Sequence, residues 1–82
     1  MRILLLEDDP VLGDIVTDFL VARYKVDHVY DAKAALSRID GSRYDLYLFD
    51  INVPGRNGIE LLRALRGEFD TTPAIFITAY ED

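Results

Sequence analysis

The sequence predicts an α/β domain, an open parallel sheet with helices on both faces, in the element order βαβαβαβ. Three observations carry that prediction. Apolar runs such as Leu4-Leu5-Leu6 and Leu46-Tyr47-Leu48-Phe49 show no polar alternation, as expected of strands buried on both faces. Between the runs, apolar residues recur at helical spacing. Strand and helix patterns then alternate along the whole chain, which calls for right-handed crossovers within one sheet. The 82 residues suffice for one domain and not two. A domain of this size buries only ~60% of the surface its unfolded chain exposes, so it has little stability to spare.

The first strand is Leu4 to Leu6, ended by Glu7-Asp8-Asp9. Asp9-Pro10 starts a helix, with Asp as N-cap and Pro at the first helical position. Leu12, Ile15, Val16, Phe19 and Leu20 form its expected inner face, and Asp14, Thr17 and Asp18 its outer one. Val26, His28 and Tyr30 alternate with Asp27 and Val29, which suggests a short edge strand. Asp31 can cap a second helix that turns Ala34, Ala35, Leu36 and Ile39 inward and stops at Asp40-Gly41-Ser42. The third strand runs from Leu46 to Asp50, and a turn-rich loop follows from Ile51 to Gly58. A third helix carries Ile59, Leu61, Leu62 and Leu65 and ends near Gly67. Ala74 to Ile77 makes a fourth strand, ended by Thr78.

Composition narrows the function. Half the residues are apolar and three are Pro, which is not a disordered composition. Without Cys there is no disulfide framework and no thiolate metal site, and the composition fits a reducing, cytoplasmic setting. No apolar run approaches the ~20 residues of a membrane span, and Met1-Arg2-Ile3-Leu4-Leu5-Leu6 is too short for a signal peptide, so it reads as a native cytoplasmic start. A net charge of -6 argues against a basic nucleic-acid-binding face on this chain and leaves cations or basic partners.

In an open parallel sheet, ligands bind outside the carboxyl ends of the strands. The first strand ends in Glu7 and Asp8, the third in Asp50 and the fourth in Thr78. Should those strands be neighbours, the four side chains meet at one rim. Two carboxylates ~5 Å apart repel by ~3 kcal/mol at an effective dielectric of ~20. Either a proton or a hard cation must offset that. Oxygen ligands without nearby His or Cys favour Mg²⁺ or Mn²⁺ over zinc. A carboxylate beside such a cation is a plausible phosphoryl acceptor, and a hydroxyl such as that of Thr78 can bond a phosphoryl oxygen.

The blocks "ILLLEDDPVL", "YDLYLFDINVPGRNGIELLRALR" and "PAIFITA" together resemble the receiver domains of two-component response regulators. The resemblance covers essentially the whole chain, residues 1–82, with no output domain. It implies a flavodoxin-like doubly wound sheet of strand order 2-1-3-4-5. It implies that Asp50 is the phosphoacceptor, served by a histidine kinase. It also implies that Asp8 and Asp50 touch Mg²⁺ directly, that Glu7 acts through water, and that Asn52 lends its backbone carbonyl to the metal. Thr78 would be the switch hydroxyl, and Pro54, Gly55 and Gly58 would shape the loop after the acceptor. The block "GIELLRALR" and the acidic pair resemble receivers that precede a winged-helix DNA-binding domain, which implies a transcriptional regulator as parent protein.

The chain departs from the family by ending before a fifth strand, whose Lys would contact the phosphoryl group. Lys25 and Lys33 lie in the wrong segments to replace it. Apolar side chains of strands one, three and four should then lie open, and self-association through that face or through the bare edge of strand four is expected.

Other residues take plainer readings. Asp9 is a cap rather than a ligand, His28 a solvated or half-buried edge residue, and Arg56 a solvated loop charge. Glu60, Arg63 and Arg66 form the outer face of the third helix, while Tyr80 is placed near the site or at an element end with equal reason. Two other functions compete with the signalling domain, which is itself no enzyme. A haloacid-dehalogenase-like phosphatase would carry its Asp on the first strand with a second Asp two positions on, where this chain has Asn52 after a third-strand Asp50. A receiver-like module that takes no phosphate would act by interaction or dimerisation alone.

Overall fold

The computed structural model describes residues 1–53 and 55–77. The elements are β1 (Arg2–Leu6), α1 (Pro10–Leu20), β2 (Lys25–Val29), α2 (Ala32–Gly41), β3 (Leu46–Asp50), α3 (Gly58–Gly67) and β4 (Ala74–Ile77). The four strands form one parallel sheet in the order β2-β1-β3-β4. Among the described residues this is the expected α/β, flavodoxin-like order over its first four strands. The chain moves outward from β1 to β2 and then crosses back to β3. That reversal opens a crevice between the carboxyl ends of β1 and β3.

Alternation along the strands divides the sheet into two faces. Leu4 and Leu6 of β1 lie level with Tyr47 and Phe49 of β3, and all four join a core with α2 and α3 through Ala35, Leu61 and Leu65. Ile3 and Leu5 point to the other face, where α1 packs, and both are buried.

Local chemistry sets the helix ends. Asp9 Oδ1 accepts from the amides of Val11 (2.9 Å) and Leu12 (3.3 Å), with Pro10 opening α1. Asp31 Oδ1 accepts from Ala34 N at 2.7 Å and starts α2. Asn57 starts α3 with a reciprocal box: its Oδ1 accepts from Glu60 N, and its Nδ2 donates to Glu60 Oε1. The last turn of α3 closes with Phe69 N–H on Arg66 O and Asp70 N–H on Leu65 O. Phe69 takes the left-handed position there, at φ 66°.

The amino rim of the sheet is tied by two polar networks. Asp27 accepts from Tyr44 (2.6 Å) and Arg2 (3.2 Å). Asp70 accepts from the Tyr47 hydroxyl and from both the amide and the hydroxyl of Thr72.

Two expectations need correction. The expected inner face of α1 is only partly inner: Ile15 is 60% and Phe19 86% exposed. The helix lies toward β2, so one flank overhangs uncovered sheet. Leu36 and Ile59 are likewise exposed at the flanks of their helices. Of the side chains expected to lie open, Ile3 and Leu5 of strand one are buried and Leu46 and Leu48 of strand three are half-buried, and it is β4 that lies open. Ile75 on one of its faces is 55% exposed, and Phe76 on the other is also exposed.

Candidate functional site

β1 leaves the sheet at Glu7, whose N–H makes a last rung to Val29 O at 3.0 Å. Asp8 follows in the turn, and Asp9 is engaged as the α1 cap. Asp50 is the final residue of β3. Because Leu6 pairs with Phe49, Glu7 and Asp50 become neighbours at the carboxyl rim, beside the crevice. Oxygen atoms of Glu7, Asp8 and Asp50 all lie within 4.8 Å of one another. Glu7 and Asp50 are buried, at 2% and 4% exposure, whereas Asp8 opens to solvent.

The site is electrostatically strained. Burial pushes the Glu7 carboxyl up to about 8; a hydrogen bond shared with Asp50 and the negative charges of Asp50, Asp8 and Asp9 add to the shift. Glu7 Oε2 is buried and has no hydrogen-bond partner among the described residues. A buried carboxylate oxygen without a donor is costly unless a proton or cation meets it. Asp50 Oδ1 accepts from Asn52 N at 3.1 Å, which orients the carboxylate.

The loop after β3 folds closely over the site. Gly58 N–H donates to Ile51 O at 3.1 Å. A Cβ at Gly58 would collide with the carbonyl oxygen of Asp50, so only glycine allows α3 to start there. Gly55 sits at φ +82°, which also favours glycine.

Three hard oxygen donors, one of them exposed and one without a partner, suit a divalent cation that keeps several waters. The donor set therefore fits Mg²⁺ or Mn²⁺. Of the residues singled out in the sequence, Glu7, Asp8 and Asp50 come together. Asn52 is exposed, and its amide, two residues on, faces Asp50. Thr78, Pro54 and Tyr80 lie outside the described residues. Asp9 is a cap as expected, and Arg56, Glu60, Arg63 and Arg66 are exposed.

One residue escaped the sequence reading. His28 is half-buried, as expected, but its Nε2 lies 2.9 Å from Glu7 O, so it is part of the acidic turn's surroundings. The contact spans 21 positions and depends on strand register. The one available signal was a glycine, Gly13, early in the first helix.

Comparison with known proteins gives a consistent picture. The family model described as "Response regulator receiver domain" matches residues 3–82. The transcriptional regulatory protein CrdR of Helicobacter pylori is 40% identical over 83 aligned positions, covering 99% of this chain and 39% of that protein. The receiver domain of the Francisella response regulator 1452 superposes with a TM-score of 0.91 at 27% identity, over 99% of this chain and 68% of that one. The Thermotoga maritima response regulator TrrA, solved in complex with Mg²⁺ and BeF, superposes with a TM-score of 0.82 at 30% identity, over 98% of this chain and 70% of that one. The chain thus spans less than two fifths of the curated relatives' length.

Proposed function

The chain belongs to the response-regulator receiver family, and on that premise we propose that Asp50 accepts a phosphoryl group from a histidine kinase in the presence of Mg²⁺ or Mn²⁺. The observation that carries this reading is the convergence of the Glu7, Asp8 and Asp50 oxygens within 4.8 Å, with Asp50 buried at the crevice.

In this reading Asp8 and Asp50 would hold the cation directly, Glu7 would act through water, and Asn52 would lend its main-chain carbonyl. The cation, when bound, neutralises charge on the incoming phosphoryl group. An Asp50 carboxylate oxygen forms the new O–P bond as the P–N bond to the kinase histidine breaks, and the imidazole leaves. The Asn52 amide keeps the Asp50 carboxylate aligned for that attack. Thr78 is assigned the switch-hydroxyl role that the family resemblance implies. The protein acts as an acceptor that carries a signal rather than as an enzyme that turns over. A phosphatase of the haloacid-dehalogenase kind is disfavoured, because Asp50 ends β3 and not β1.

The parent protein is a cytoplasmic, DNA-binding transcriptional regulator in this reading, by analogy with relatives such as CrdR. With a net charge of -6, this chain leaves nucleic-acid contact to other segments. No helix among the described residues is long and apolar enough to cross a membrane. As an isolated 82-residue chain it self-associates through the open face of α1 and β4, where Ile15, Phe19 and Ile75 are exposed.

The phosphoacceptor reading is tested by incubating the chain with acetyl phosphate and Mg²⁺ and measuring intact mass. A single adduct of about 80 Da, the mass of HPO₃, is expected. It should vanish in Asp50→Asn and on chelation of the metal. An unlabelled wild-type chain, or an adduct that survives Asp50→Asn, sinks the reading. Steady release of phosphate from phosphomonoesters would favour the phosphatase instead.

A further inference from the structure

His28 belongs to the edge strand β2, yet its ring reaches over the first turns of α1. A Cβ at Gly13 would collide with Cε1 and Nε2 of His28 and stand 2.9 Å from its Nδ1. The imidazole therefore fills the space that any other residue at position 13 would occupy. The Tyr30 ring stands 4.3 Å away, centroid to centroid, and limits its movement further. So seated, His28 Nε2 lies 2.9 Å from Glu7 O. A carbonyl only accepts, so Nε2 carries the proton and donates.

The backbone shows why a donor is needed there. β1 and β2 pair in parallel as far as Leu6 with Val29, and Glu7 N–H adds one rung to Val29 O. The following rung would bring the Asp31 amide to the Glu7 carbonyl. By then Asp31 has turned away to cap α2. Glu7 is buried, so its carbonyl would lack both a strand partner and water. The His28 side chain stands in for the missing rung. That carbonyl belongs to the peptide group joining Glu7 to Asp8, and the group is planar. Holding its oxygen fixes the direction in which both acidic side chains leave the backbone.

We propose that His28, seated on Gly13, is a positioning residue of the acidic site: its Nε2–H on the Glu7 carbonyl holds the Glu7–Asp8 peptide so that both carboxylates share one divalent cation with Asp50. The inference rests on reading that site as a cation-dependent phosphoacceptor.

The test compares wild type, His28→Leu, His28→Gln and Gly13→Ala by Mg²⁺ titration calorimetry, by the rate of Asp50 labelling with acetyl phosphate, and by thermal unfolding. Loss of an outer-shell hydrogen bond at a metal site typically weakens binding by about tenfold or more. His28→Leu should bind Mg²⁺ about tenfold more weakly, with its labelling rate recovering at saturating Mg²⁺. His28→Gln, whose amide can donate to the same carbonyl, should regain most of the affinity. Gly13→Ala keeps the imidazole but displaces it, and should weaken Mg²⁺ binding in the same direction. It replaces a helical glycine with the best helix former, which offsets part of the cost of moving the ring. Wild-type affinity in His28→Leu, or His28→Gln as weak as His28→Leu, overturns the proposal. Should His28→Leu fail to fold, an unchanged Mg²⁺ affinity in Gly13→Ala overturns it. A wild-type chain that binds no Mg²⁺ and takes no label brings down the phosphoacceptor reading itself, and this inference with it.

Discussion

Glu7 is the residue at which folding and function conflict. Its burial beside Asp50 favours the protonated form, whereas cation binding needs the charge. Between its ordinary value of 4.5 and about 8, the folded chain holds a proton that the unfolded chain has released. The stability that Glu7 contributes is therefore fully present below 4.5 and is lost as pH rises toward 8. In chelator, urea unfolding followed over that window should show stability falling with pH, at a slope of up to about 1.4 kcal/mol per unit. Glu7→Gln should flatten the slope, and a slope unchanged by that substitution would place the proton elsewhere. The apparent Mg²⁺ affinity should rise across the same window, because the cation displaces the proton. The carboxylates at the amino rim behave oppositely. Hydrogen bonding from Tyr44, helped by Arg38 and Arg2 against the opposing effect of burial, holds Asp27 below its ordinary value. At Asp70, burial is outweighed by hydrogen bonds from Tyr47 and Thr72. Their contribution is present above pH 3.8 and is lost as pH falls through their folded values.

Among the elements, α3 combines a strong start with a strained end. Its Asn57–Glu60 box satisfies the first turn, and Gly58 lets the helix begin against Asp50. Its C-terminal turn needs a left-handed residue, a place where glycine is usual, and Phe69 occupies it. Phe69 is 90% exposed, so its ring gains little from packing. A non-glycine residue in this conformation costs about 1–2 kcal/mol. Phe69→Gly should therefore stabilise the fold by about 1 kcal/mol, part of the gain being offset by the greater chain entropy of glycine. A shift of the urea midpoint to lower concentration would contradict this account of the turn.

For the molecule as a whole, the sheet order and the open face have the same origin. Four strands in the order β2-β1-β3-β4 leave β4 at an edge with Ile75 and Phe76 exposed on opposite faces. The overhanging flank of α1 adds Ile15 and Phe19. Burial of such residues stabilises an assembly by roughly 25 cal/mol per Å² of apolar surface. Sedimentation of the 82-residue chain should show association that strengthens with concentration. Phe19→Glu combined with Ile75→Lys should weaken it at least about tenfold, since about 1.4 kcal/mol is enough for that change. A well-folded wild-type monomer throughout the micromolar range would remove the proposed role of this face.

From the sequence alone came several features whose cause is local, although the equally local Asn57–Glu60 box and the left-handed Phe69 were not among them. The caps Asp9, Asp31 and Pro10 act within one turn, and unbroken apolar runs need only their own residues to mark buried strands. Because strand ends were legible, so was the acidic rim of Glu7, Asp8 and Asp50. Tertiary structure alone decided what depends on elements far apart in the chain. It determined which flank of α1 is covered, since that follows from where the helix lies across the sheet. It determined that Glu7 is pushed toward its protonated form, since burial is a property of the packed rim. It also brought His28 to the Glu7 carbonyl, because strand register sets that contact and no local pattern encodes register.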